Sequence, residues 1–213
     1  MPISEYVKPV HPGAASELGA AVPLRLVLAR TDRIAVALVG ATAFSTGATL
    51  TLAVRSRRSD AQDFFGDPFE MPFGHPLRRA QHGGELDPDV LRFGVQFSDG
   101  GKATTSGGSS SRVGDDQEPS GPLLFERGGG GSPADYTSEF WLWPLPPPGP
   151  VTFAVEWPAR EIELSKQQVD ASVFIEASEQ SEALWPAEDA WDDAGQSSTL
   201  RLIGEQEVPE GQG

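Results

Sequence analysis

The chain has 213 residues, of which 38% are hydrophobic, 24 are glycine and 19 are proline. It is therefore long enough for one well-buried domain with long loops, but short for two. Its net charge of −15 disfavours binding to nucleic acid or anionic lipid, because their phosphates would be repelled. The absence of cysteine excludes disulfides, thiolate zinc sites and cysteine nucleophiles, and fits a reducing, cytoplasmic compartment.

Composition divides the chain into three parts. Residues 1–22 are expected to form a flexible arm; they lack the basic and apolar stretches of a secretion signal. Residues 23–185 carry the strand patterns of a domain. Residues 186–213 are expected to be an acidic, disordered tail, since from Glu176 onward ten carboxylates face one base, Arg201.

The first strands follow the arm. PLRLVLAR (23–30) puts three leucines on one face, and the turn at Thr31 and Asp32 leads into RIAVALVG, which together predict a hairpin. The uncharged run between Arg33 and Arg55 is long enough to span a bilayer. A turn signal at its midpoint and alternation of apolar residues with threonine predict two strands instead, with no membrane span.

The middle of the chain alternates strands with long connections. Residues 57–88 predict a loop, and LRFGVQF (91–97) predicts a strand whose Asp99-Gly100-Gly101 turn leads into KATT. Residues 106–121 have low complexity, and PLLFER predicts another strand. GGGGSPAD (128–135) has the composition of a flexible linker, so we expect no regular structure there.

Two tryptophan-bearing segments, SEFWLW (138–143) and VTFAVEW (151–157), predict neighbouring strands joined by a stiff proline loop as a hairpin. The second strand has one apolar face, whereas the first is apolar on both faces. The outer face of the first strand is expected to be covered by a following helix, predicted over residues 167–184 with Ser165 as its cap. These patterns predict an all-β, two-layer β-sandwich of about eight strands, immunoglobulin-like or jelly-roll-like, with one C-terminal helix packed on it.

The chain contains four segments in this order: LARTDRIAVALVGATAFSTG, LRFGVQFSDGGKAT, RGGGG and FWLWPLPPPGPVTFAVEWPA. In these segments it resembles a family of hypothetical β-rich proteins from GC-rich actinobacteria. The likeness extends over residues 23 to about 185. It supports the domain boundary and implies no activity, cofactor or binding residue.

Catalytic and metal chemistry have few candidate residues. The densest set lies in DFFGDPFEMPFGH, where three carboxylates and an imidazole could bind a divalent metal: Asp63, Asp67, Glu70 and His75. No spacing in this set matches a known ligand pattern, and a solvated loop is the favoured interpretation. No nucleophile-elbow or phosphate-binding motif occurs, so the sequence predicts no catalytic residue and no cofactor.

Aromatic residues offer two further candidate sites. Trp141, Trp143 and Trp157 could form a platform that stacks on a glycan or small ligand, although core packing is favoured. Trp185 and Trp191 lie among acidic residues and could dock on a basic, apolar groove of a partner, although simple solvation is favoured.

The leading functional hypothesis is a non-catalytic cytoplasmic module. It would contact another protein through a sheet edge, the tryptophan-rich hairpin or the acidic tail. The alternatives are a ligand or glycan binder using the tryptophan platform, and a metal-dependent enzyme centred on His75.

Overall fold

The computed structural model describes residues 17–57, 72–73, 87–105, 121–132 and 134–185. Strands dominate these residues. The strands are β1 (Glu17–Leu18), β2 (Ala20–Val22), β3 (Leu26–Arg30), β4 (Ile34–Ala43), β5 (Ala48–Ser56), β6 (Arg92–Gln96), β7 (Lys102–Thr104), β8 (Leu123–Ser132), β9 (Asp135–Trp143), β10 (Pro150–Trp157), β11 (Ile162–Asp170) and β12 (Glu182–Ala183). A helix, α1 (Ser172–Ser178), lies between β11 and β12.

Two antiparallel sheets face each other. The larger has the order β2-β4-β5-β9-β8, with β3 also paired to β4, and the smaller has the order β11-β10-β6-β7. A two-stranded ribbon, β1–β12, forms separately. The described residues thus confirm an all-β sandwich with one helix.

The core lies between the sheets and contains a line of phenylalanine rings. Phe140 of β9 meets Phe93 of β6 at 5.3 Å between ring centroids, Phe93 stacks on Phe153 of β10 at 6.3 Å, and Phe153 meets Phe174 of α1 at 6.3 Å. Phe73 packs edge-on against Phe140 at 4.9 Å. All five rings are buried, so this line joins both sheets and the helix through one apolar core.

The alternation of apolar with other residues correctly predicted which side of strand β10 faces the core. Val151, Phe153, Val155 and Trp157 are all buried along β10. The predicted hairpins β3–β4 and β6–β7 are both present, and the long uncharged run forms the paired strands β4 and β5. Among the described residues, no helix has the length and apolar character needed to cross a bilayer.

The predicted tryptophan-rich hairpin is wrong. Strand β9 pairs with β5 and β8 in the larger sheet, whereas β10 pairs with β6 and β11 in the smaller one. The proline segment 144–149 therefore crosses between sheets, held on one side by a 2.9 Å hydrogen bond from Ser98 Oγ to the Pro148 carbonyl. Alternation identifies a strand and its buried face but does not specify its partners, which is why this pairing was missed.

The helix predicted over residues 167–184 is also wrong in extent. Residues 162–170 form β11, which pairs with β10 along its length, and the helix occupies only Ser172–Ser178. The apparent helical spacing combined Val169, on the strand, with Val173 and Ala177, on the helix. Ser165 does not cap a helix; its Oγ donates to the Leu28 carbonyl. Pairing in the sheet has overridden the local pattern.

Two further expectations differ from the structure. Gly128 to Gly131, predicted as a flexible linker, lie inside β8 and pair with β9. Residues 17–22, assigned to the arm, form β1 and β2. The remaining arm, the tail 186–213 and most of the loop 57–88 lie outside the described residues.

Candidate interaction surfaces

Trp141 is fully buried although it lies on the outer face of the larger sheet. The expected covering helix packs elsewhere, on β2, β4 and the core. The β4–β5 turn covers the indole instead. Phe44 meets Trp141 edge-on at 5.8 Å, and a Cβ added at Gly47 would lie 2.5 Å from the Trp141 ring. The Nε1 of Trp141 is buried as well, so this indole presents neither a face nor a donor to a ligand.

The three candidate platform tryptophans are not brought together on a surface. Trp143 is half-buried at the end of β9. Trp157 is buried in the other sheet, and its Nε1 donates a 2.9 Å hydrogen bond to the Asp89 carbonyl. An aromatic platform needs open, coplanar faces. Neither Trp141 nor Trp157 has one.

The candidate metal residues Asp63, Asp67, Glu70 and His75 lie outside the described residues. Within the part of the chain that the structure describes, no group of three or more histidine, aspartate and glutamate side chains could hold a metal ion. Phe73, from the same loop, is buried against the core. That placement agrees with the interpretation that loop phenylalanines pack on the sandwich.

The β1–β12 ribbon is fixed to the sandwich by the β4–β5 turn. The Glu17 carboxylate accepts hydrogen bonds from the Ser45 backbone N–H at 2.6 Å and from Ser45 Oγ at 2.9 Å. Gly19 lies so close to Phe44 that an added Cβ would be 2.7 Å from its ring. At the other strand of the ribbon, helix α1 leads directly into β12. The ribbon therefore has a defined position on the domain.

Three large apolar side chains are exposed at this ribbon. Leu18 is 59% exposed, Leu184 46% and Trp185 57%. In the ribbon Leu18 lies opposite Glu182, and Leu184 and Trp185 follow β12 directly. We call these three residues the apolar ribbon patch. The other candidate partner-binding residue, Trp191, lies outside the described residues.

The sequence leading to and following the end of the apolar ribbon patch is acidic. Residues 171–185 contain three exposed glutamates and no lysine or arginine: Glu176, Glu179 and Glu182. The sequence continues from Trp185 into the acidic segment PAEDAWDD. An apolar centre with a rim of one charge complements a groove of the opposite charge.

Positive and negative side chains lie together at the arginine-rich end of the larger sheet. A shallow groove of about 650 Å³ is lined by Arg30, Thr31, Asp32, Arg33 and Glu161. Its two guanidinium groups are balanced by two carboxylates. Arg55, nearby on β5, pairs with Asp135 at 2.6 Å and donates to the carbonyls of Val54 and Tyr136. This end is therefore not a concentrated anion site.

Most sheet edges among the described residues are covered. Strand β3 meets β11 at the Ser165–Leu28 hydrogen bond of 2.6 Å, and α1 contacts β2. Strand β7 contacts β8 near its start, where an added Cβ at Gly101 would be 3.2 Å from Pro122. The second half of β8, from Glu126 to Ser132, is exposed throughout.

The four glycines of β8 divide into two pairs. A Cβ at Gly129 would overlap Ser138 Oγ and lie 2.8 Å from the Thr137 carbonyl oxygen, and a Cβ at Gly131 would overlap the Asp135 carbonyl oxygen. At Gly128 and Gly130 an added Cβ would meet nothing within 4 Å. Two glycines are thus required for close contact with β9, while the other two face open space. We call Gly128–Ser132 the glycine edge.

Two titratable groups in the described residues have shifted pKa values. Burial raises the pKa of Tyr136 above its ordinary value of 10.0, and the negative charge of Glu126 acts in the same direction. Hydrogen bonds from the backbone N–H and side chain of Ser172 lower the pKa of Asp170. Both shifts have structural causes, and neither group faces another with a complementary shift that would indicate acid–base catalysis.

A scan of protein-family models found no match to this chain, and searches of curated proteins and of solved structures found none either.

Proposed function

We propose that this protein is a non-catalytic cytoplasmic interaction module that binds another protein through the apolar ribbon patch. The observation that carries the proposal is the exposure of Leu18, Leu184 and Trp185 on one anchored ribbon. Grouped exposed apolar side chains are typical of interaction sites, and tryptophan is enriched at the centres of protein interfaces.

The chemistry of the patch specifies its partner. Apolar side chains with Glu182 opposite Leu18, and with the exposed Glu176 and Glu179 nearby in the sequence, fit an apolar groove that is rimmed by lysine or arginine. The acidic segment after Trp185 would extend the same complementarity. Such a partner is a basic protein surface; nucleic acid and anionic membranes would be repelled by a chain with a net charge of −15.

The ribbon supports this role mechanically. Glu17 holds β1 through two hydrogen bonds to Ser45, and β12 follows three residues after α1, whose Phe174 is buried in the core. The exposed side chains are therefore presented by a preorganised backbone, which lowers the entropy lost on binding. Within the described ranges, no comparable observation favours the glycan or metal alternatives.

Site-specific photo-crosslinking in the source cell tests the proposal. A photoreactive residue at Leu184 should crosslink one defined protein, whereas the same residue at Leu164, a leucine on β11 that is even more exposed, should not. The recovered protein, once purified, should bind the wild-type chain and a Leu164→Ser control equally. Binding to a Leu18→Ser/Trp185→Ser variant should be at least roughly tenfold weaker.

Two results would contradict the proposal. One is equal crosslinking of the same proteins from Leu184 and Leu164, which would indicate nonspecific contact. The other is unchanged affinity of the purified protein for the Leu18→Ser/Trp185→Ser variant, with circular dichroism showing that the variant is folded.

A further inference from the structure

The glycine edge exposes main chain where most sheets protect it. An edge strand presents an unpaired row of N–H and C=O groups that can pair with another extended chain. Natural edges are protected by lysine, proline or a bulge. In β8 the register shift lies between Glu126 and Gly128, and proline follows at position 133, so neither interrupts Gly128–Ser132.

The length of the glycine edge suits a short extended segment. Five residues span about 17 Å at roughly 3.4 Å per residue, and every second residue directs both backbone groups outward. Gly129 and Gly131 hold this main chain tightly against β9. An incoming strand would therefore meet a fixed template, with no side chain from Gly128 or Gly130 in its way.

Carboxylates flank the glycine edge on both faces of the sheet. Gly128 pairs with Glu139, which is exposed on the outer face. Glu126, exposed on the opposite face, accepts a 2.7 Å hydrogen bond from Ser138 Oγ. Arg127 is the one nearby base on β8, while Asp135 is already paired with Arg55. A residue that pairs beside Gly128 would place its side chain on the Glu139 face, with no β8 side chain between them.

We infer that the glycine edge binds an extended segment of a partner protein that carries lysine or arginine at alternate positions. Main-chain hydrogen bonds to β8 provide the docking, and Glu139 and Glu126 select basic side chains. The inference concerns a different surface from the apolar ribbon patch, so either can fail without the other.

The charges favour a basic segment over a second copy of this chain. A copy pairing through its own glycine edge would bring no basic side chain opposite Glu139. It would also bring together two chains that each carry a net charge of −15. Pairing between two glycine runs would in addition lack the cross-strand side-chain contacts that stabilise sheets.

Synthetic peptides test the inference on the full-length protein. The probe is a fluorescent peptide of alternating lysine and valine, about seven residues long, which is enough to span the whole glycine edge. One control peptide has glutamate in place of lysine. Two others keep the lysine sequence but are N-methylated at every second backbone nitrogen, one at the odd positions and one at the even positions. N-methylation keeps the charge but removes donors needed for strand pairing. The readouts are fluorescence anisotropy and amide hydrogen exchange of Gly128–Ser132.

We expect the lysine peptide to bind and to slow hydrogen exchange in Gly128–Ser132. The glutamate peptide should not bind. Of the two N-methylated lysine peptides, one should lose binding. A Gly128→Lys/Gly130→Lys variant, at the two open positions, should weaken binding roughly tenfold by repulsion. The matched Gly128→Glu/Gly130→Glu variant should tighten it, and Gly128→Ser/Gly130→Ser should match wild type.

Three results would overturn the inference. Equal binding of all N-methylated forms would show that charge attraction alone is responsible. Absence of binding by the lysine peptide, or binding without protection of Gly128–Ser132, would exclude this edge as the site. Sedimentation showing a dimer whose glycine edge is already protected without peptide would assign the edge to a second copy.

Discussion

Ser165 Oγ donates a 2.6 Å hydrogen bond to the carbonyl oxygen of Leu28, and this bond joins the edge of one sheet to the edge of the other. Leu28 lies on β3 of the larger sheet and is buried; Ser165 lies on β11 of the smaller sheet. Because β3 lies at an edge, the bond occupies a main-chain acceptor that would otherwise be open to further pairing.

Removing this hydroxyl should weaken the junction of the two sheets. We expect Ser165→Ala to lower the free energy of unfolding by about 0.5–1.5 kcal/mol, since the Leu28 carbonyl loses a partner in a partly buried place. Urea denaturation measures the change. Lys166→Ala, an exposed neighbour on the same strand, is the control and should change stability little. An equal loss in both variants would mean that the hydrogen bond contributes nothing specific.

The two kinds of glycine in β8 should respond oppositely to the same substitution. Gly129→Ala should cost about 1–3 kcal/mol, because its Cβ meets Ser138 Oγ and the Thr137 carbonyl. Gly130→Ala should be neutral or slightly stabilising, because its Cβ meets nothing and the unfolded chain loses freedom. Chemical denaturation compares the two. Similar stabilities would show that β8 does not lie against β9 as described.

Phe174 anchors α1, and through it the strand β12 that precedes Trp185. Phe174→Ala should cost about 3–5 kcal/mol, because the ring is fully buried against Phe153. Hydrogen exchange at Glu182 and Ala183 should accelerate more than exchange in β5. Glu176→Ala, on the exposed side of the helix, should leave both measurements unchanged. Loss of stability without faster exchange in β12 would separate the ribbon from the helix.

Sequence patterns determined which residues face the core but not which strands are neighbours. The alternation from Val151 to Trp157 identified the buried side of β10, because a strand with one face in a core must alternate. The same pattern contains no information on whether β10 pairs with β9 or with β6. Pairing across 56 to 64 residues depends on contacts that only the folded chain brings together.

The two strands that contain Ser165 and Gly128 were not predicted, and both omissions have a common physical cause. Residues 162–170 are mostly polar on both faces, since β11 is an edge strand, so they lack the alternation that marks a half-buried strand. Gly128 to Gly131 have no side chains and poor strand propensity, and only the existing template of β9 orders them. Composition alone could not reveal either strand. The exposed patch at Leu18 was missed because Leu18 was assigned to the arm.

Tyr136 should make the protein sensitive to alkali. Burial raises its folded-state pKa above 10.0, while in the unfolded chain the phenol ionises near 10.0. Above that pH the unfolded state therefore binds fewer protons than the folded state, and the free energy of unfolding falls as pH rises from about 10 to the folded pKa. Below pH 10 the group has no effect.

Urea denaturation at pH values from about 8 to about 11 measures the free energy of unfolding of Tyr136→Phe and wild type. This free energy should decline with rising pH in wild type and decline less in Tyr136→Phe. The phenolate absorbance of wild type minus that of Tyr136→Phe should show Tyr136 titrating above its ordinary pKa of 10.0. Identical pH dependence in wild type and Tyr136→Phe would contradict the raised pKa.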